Sequence, residues 1–161
     1  MPPESTYVIS LEEILWGSFL MAITMFVHGL GMVIVLRVSH LLKRRVADQE
    51  SLMIGLLPVV LATCMILIVH LTEVMFWSAF FLWKGAFANQ SLAFYFSLNE
   101  YTTLGSRFDL PLRWRLLEGM IATAGLIAFA WSTAVLITLA QQFQNQQMEM
   151  FQRRHQKKVK S

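Results

Sequence analysis

Three ionisable residues stand inside runs that are otherwise apolar. His28 lies in "LMAITMFVHGLGMVIVLRV", and His70 and Glu73 lie in "MILIVHLTEVMFW". The spacing of His70 and Glu73 puts them on one face of a helix. Ionisable groups held inside a membrane are costly and point to a site. Two imidazoles and a carboxylate offer two chemistries, a proton relay or a metal site. A closed zinc site takes four donors. The sequence supplies no fourth at a suitable depth, so neither a metal nor another cofactor is expected. The plainer role for His28, His70 and Glu73 is a buried hydrogen-bonded cluster that pins one helix to another, or to a short helix nearby.

A second constellation is "EYTTLGSRFDLP" at 100–111, a polar turn between apolar segments. Threonine hydroxyls and backbone carbonyls in such a turn are ligands for a dehydrated cation. Backbone that is not helical at membrane depth persists only where protein buries it or it lines an aqueous cavity. The preceding stretch "QSLAFYFSLNEYTT" (90–103) is too short to span a bilayer and reads as a re-entrant element. Its start is marked by Asn89, Gln90 and Ser91. A helix entering from outside turns its partially negative C-terminal end inward, which favours cations.

The elements that must position these groups are transmembrane helices. Apolar residues make up 56% of the 161-residue chain and charged residues 14%, with mean hydropathy +0.54. A soluble domain carries about 25% charge, so the chain belongs to the membrane class. Three stretches reach the roughly 20 residues a crossing needs: 14–38, 52–83 and 116–140. Pro58 is expected to kink or reset the second. The opening "MPPESTYVISLEE" lacks the basic start of a secretory leader. The single cysteine, Cys64, allows no disulfide within the chain and no cysteine-built metal site, and is expected to be a small buried apolar residue.

Basic residues set the orientation. Arg37, Lys43, Arg44 and Arg45 follow the first span, and Arg153, Arg154, Lys157, Lys158 and Lys160 follow the third. These nine of thirteen put the C-terminus in the cytoplasm and the N-terminus outside. Lys84, Arg107, Arg113 and Arg115 flank the short element, which then opens to the outer face. Trp16, Trp77, Trp83 and Trp114 are expected at the outer interface. The glutamine-rich basic tail is expected to extend the third helix and lean on anionic lipid, not nucleic acid. Glu100 is expected to brace the turn through Arg107, Arg113 or Arg115. Asp109 is expected to offset Arg107, and Glu118 to pair with Arg115. Gly17, Gly29, Gly31, Gly119 and Gly125 permit close helix approach. No phosphate loop, catalytic triad or cofactor fingerprint is present, and no enzyme is expected.

"FYFSLNEYTTLG" (94–105), followed by "SRFD" (106–109), resembles the ion-channel family with the potassium-channel pore module. The downstream "RWRLLEG" and "FAWSTAVL" are similar to a small bacterial branch of two-pore-domain-like ion channels. The resemblance covers about residues 60–140. It implies an all-α membrane protein with three transmembrane helices and a re-entrant pore helix and loop between the second and third. The parts are then a periplasmic N-terminus (1–13), an added helix with a basic loop (14–50), the pore module (51–140) and a basic cytoplasmic tail (141–161). It also implies a bacterial inner-membrane location, a permeant monovalent cation and a homotetramer, since one module supplies a quarter of a filter. Thr102, Thr103, Leu104 and Gly105 match the inner filter. Ser106 and Arg107 stand where that family has an aromatic residue and a second glycine, with Arg107 and Asp109 setting the outer mouth; a shifted alignment would put Phe108 at the aromatic position. Gly125 falls at the bend of a pore-lining helix. Three functions stay open: a potassium-channel-like cation channel, a non-conducting subunit packed against other membrane proteins, and a proton or metal transporter using His28, His70 and Glu73.

Overall fold

The computed structural model describes residues 7–46 and 52–159. All the regular structure among them is helical. The elements are α1 (Leu11–Val46), α2 (Leu52–Trp83), α3 (Gln90–Tyr101), a 3-10 turn (Leu112–Trp114) and α4 (Leu116–Val159). α1, α2 and α4 are each long and apolar enough to cross a membrane. α4 carries the third apolar run on into the glutamine-rich tail without a break, as expected; Lys160 lies outside the described residues.

Local chemistry starts each helix. Ser10 and Glu13 form a capping box at α1: the Ser10 N–H donates to Glu13 Oε2 (3.0 Å), and the Glu13 N–H donates to Ser10 Oγ (3.2 Å). The two bonds satisfy otherwise orphaned donors. Glu13 is fully buried and also accepts the Leu116 N–H at the start of α4 (3.0 Å) and the Tyr7 hydroxyl (3.0 Å). One carboxylate thus closes the N-termini of two helices, where its charge suits both dipoles. At α3 the Asn89 side chain accepts the Leu92 N–H (2.8 Å), which confirms the start read from Asn89. α2 continues through Pro58, with no reset of the helix there.

The chain divides into two compact units. The first comprises residues 1–29 and 69–129 and holds an aromatic core of Trp77, Phe81, Phe96 and Tyr101 with Leu117 and Ile121. The second comprises 30–68 and 130–161, with Met32, Val35, Ala62, Ile66, Val135 and Leu139 buried. One expectation is corrected here. Cys64 is exposed, on a face of α2 that protein does not cover; an apolar run alone does not say which face meets lipid. Trp77 and Trp114 are buried in the first unit. Trp77 is held there because its Nε1–H donates to Thr24 Oγ1 (3.0 Å), giving the indole a partner inside the protein.

Candidate functional site

His28, His70 and Glu73 meet in the first unit, all three buried, with their ligand atoms within 4.8 Å of one another. α1 brings His28, and α2 brings the other two from adjacent turns. His28 Nδ1 lies 2.9 Å from Glu73 Oε1. Tyr101, the last residue of α3, joins them, although nothing in its sequence context marks it out. Its hydroxyl donates to Glu73 Oε2 and lies 2.9 Å from His70 Nδ1. His70 Nδ1 is also 3.6 Å from Glu73 Oε2. An ionised carboxylate only accepts. With Glu73 ionised, His28 therefore donates from Nδ1, Tyr101 donates its hydroxyl proton, and His70 donates from Nδ1 to the Tyr101 oxygen. Phe129 of α4 stacks on the far side of His70, with ring centroids 4.5 Å apart. These contacts link α1, α2 and the short helix α3.

The backbone of Tyr101 is seated as firmly as its side chain. A Cβ placed on Gly125 would fall 1.9 Å from the Tyr101 carbonyl oxygen. Only glycine lets the end of α3 come this close to α4. α4 runs on as one helix through Gly125, so here the residue serves close approach. Gly17 faces only the flexible end of Met120, and Gly119 faces open space.

The turn after α3 is closed by its own backbone. The Leu104 N–H donates to the Asn99 carbonyl (2.9 Å) and the Thr103 N–H to the Glu100 carbonyl (2.9 Å). This is a Schellman pattern, whose pivotal residue is usually glycine. Here it is Thr103, at φ +61°. A β-branched residue in the left-handed region is strained, by about 1–2 kcal/mol. Gly105, at φ +73°, takes the next such position without that strain. Thr103→Gly is expected to raise stability by up to about 1 kcal/mol, after the added freedom of the unfolded glycine is subtracted. Thermal unfolding in detergent checks this; a fall in midpoint would mean that the Thr103 side chain stabilises the turn.

Two carboxylates hold the descending arm, each through backbone. Glu100 Oε1 accepts the Ser106 N–H (2.8 Å), and Glu118 Oε1 accepts the Leu110 N–H (2.7 Å). Glu100 thus braces the turn as expected, but through a peptide group and not an arginine. Asp109 pairs with Arg115 (3.3 Å) instead of Arg107, and Arg115 also reaches Glu118 (3.8 Å). The Thr102 hydroxyl turns back to the Leu98 carbonyl (2.8 Å). Leu104, Arg107, Phe108 and Asp109 are exposed, while Ser106 is half-buried and accepts the Phe108 N–H (3.1 Å).

At the end of α2, Lys84 enters an aromatic cage. Its Nζ is 4.3 Å from the ring centroids of Trp16 and Trp83 and 5.3 Å from that of Trp114, with Glu12 at 3.9 Å. Glu12 bonds Arg113 as well (2.6 Å), in a pair too exposed to add much. Cation–π contacts contribute about 0.5–2 kcal/mol, more where water is excluded. Lys84→Met keeps the apolar stem and removes the charge. It is expected to cost about 1 kcal/mol in detergent unfolding, with a change in tryptophan emission.

Comparison with protein-family models, with curated proteins and with solved structures gives no match for this chain.

Proposed function

We propose that this chain is a subunit of a potassium-channel-type cation channel, with α3 as its re-entrant pore helix and 102–109 as its filter loop. The observation that carries this reading is how far α3 reaches between its flanking helices. The Tyr101 carbonyl lies against Gly125, on the order of 14 Å along α4 from Leu116 at 1.5 Å per residue. Its hydroxyl meets Glu73, on the order of 15 Å along α2 from Trp83 by the same measure. Both are about half of a 30 Å hydrocarbon core. With Trp83 and Leu116 taken as the outer boundary, a helix that ends at that level and returns through a polar turn supports the pore-loop reading. Thr102, Thr103, Leu104 and Gly105 then face the ion path, Ser106 stands above them, and Arg107 and Asp109 border the mouth. One chain supplies a quarter of such a path, so the working unit is a homotetramer in the bacterial inner membrane.

Arg107 favours a second reading. Four exposed guanidinium groups around one axis would repel entering cations. A chain that keeps the fold as a non-conducting subunit of a larger membrane complex would be free of that penalty. Oligomeric state separates the two. Native mass spectrometry of the protein released from mild detergent is expected to give a tetramer of this chain alone. A single copy bound to other membrane proteins would overturn the channel assignment in favour of the accessory one.

A further inference from the structure

We propose that His28, His70, Glu73 and Tyr101 form a zinc-class divalent-metal site joining α1, α2 and α3, whether or not the loop conducts. The sequence offered three donors, and Tyr101 supplies the fourth. Zinc at about 2.0–2.1 Å from nitrogen and oxygen ligands sets tetrahedral edges of about 3.3 Å. Three separations lie near that edge: 2.9 Å from His28 Nδ1 to Glu73 Oε1, 2.9 Å from His70 Nδ1 to the Tyr101 oxygen, and 3.6 Å from His70 Nδ1 to Glu73 Oε2. The Tyr101 oxygen and Glu73 Oε2 are closer than that edge and would move apart on binding, and His28 faces the other carboxylate oxygen from His70 and Tyr101. All three His and Glu donors are buried, so water competes poorly for the ion. Two imidazoles with two oxygen donors suit zinc better than magnesium or calcium, which take six or more oxygens.

The charges also fit. With both imidazoles neutral, an ionised Glu73 leaves one net negative charge among apolar helices, which is costly at that depth. A divalent ion reverses the deficit, and a phenolate from Tyr101 would bring the site to neutrality. Binding moves each imidazole proton from Nδ1 to Nε2 and releases the phenol proton to solvent, so uptake weakens as pH falls. The ion replaces hydrogen bonds that already tie the three helices, so it locks an arrangement that exists without it.

The test uses full-length protein in detergent, stripped with chelator, with exposed His40 and His155 changed to alanine so that they cannot bind the ion. Zinc is added at one equivalent and measured after desalting. One ion per chain is expected, with an X-ray absorption shell of two imidazoles and no sulfur. Glu73→Gln is expected to weaken uptake by about tenfold or more. Because that variant is also less stable, the absorption shell of the unsubstituted site is an independent arm. No retained zinc, an all-oxygen or sulfur-containing shell, or unchanged uptake in folded Glu73→Gln would each overturn the proposal. None of these results depends on ion flux.

Discussion

Gly125→Ala is expected to lower the unfolding midpoint in detergent by several degrees, a net loss of about 2 kcal/mol or more. The added methyl would sit 1.9 Å from the Tyr101 carbonyl oxygen. That neighbour is backbone, at a helix end whose side chain is fixed by Glu73 and His70, so it has little room to retreat. Overpacking of this kind costs about 1–3 kcal/mol and sometimes more, against up to about 1 kcal/mol gained from replacing a helical glycine. Gly119→Ala isolates that gain, because nothing lies within 4 Å of its Cβ position. Gly119→Ala is expected to be neutral or stabilising. If the two variants unfold alike, the close seat of α3 on α4 is wrong.

Glu73→Ala should be the more damaging of the two core substitutions. The carboxylate is fully buried and accepts from His28 and Tyr101, with His70 bonded in turn to the Tyr101 hydroxyl. Removing it takes a buried hydrogen-bond partner from His28 of α1 and from Tyr101 of α3 at once. Loss of one partner from a buried ionic network costs about 3–5 kcal/mol. Tyr101→Phe keeps the ring and removes one bond, and is expected to cost about 1–3 kcal/mol. Chemical unfolding in detergent ranks the two. A Glu73→Ala loss no greater than that of Tyr101→Phe would mean that the cluster does not hold α3 through the carboxylate.

The parts legible in the sequence were those with local causes. Three apolar runs became α1, α2 and α4, and Asn89 marked the start of α3 because an N-cap acts within three residues. The pairing of His70 with Glu73 followed from helical spacing, and His28 from its placement in an apolar run. What escaped was set by long-range contact. Tyr101 read as part of the approach to a turn, and nothing in spacing joins it to Glu73, 28 positions away. Gly125 was legible as a site of close approach, but its neighbour was not. Trp77 and Trp114 were read by residue type alone, which does not tell that packing in the first unit buries both. Glu100 and Glu118 were read through nearby arginines, as charges invite, while the structure gives each of them a backbone N–H in the turn. Thr103 stands where a Schellman turn favours glycine, so the left-handed geometry was hidden by residue type.

The most direct test of the channel assignment is K⁺ and Na⁺ flux into liposomes containing the purified chain, with Arg107→Gly measured beside it. For a channel subunit, wild-type vesicles are expected to take up K⁺ faster than protein-free vesicles, with Arg107→Gly faster still once the guanidinium ring at the mouth is gone. Wild-type flux no faster than that of empty vesicles would contradict it.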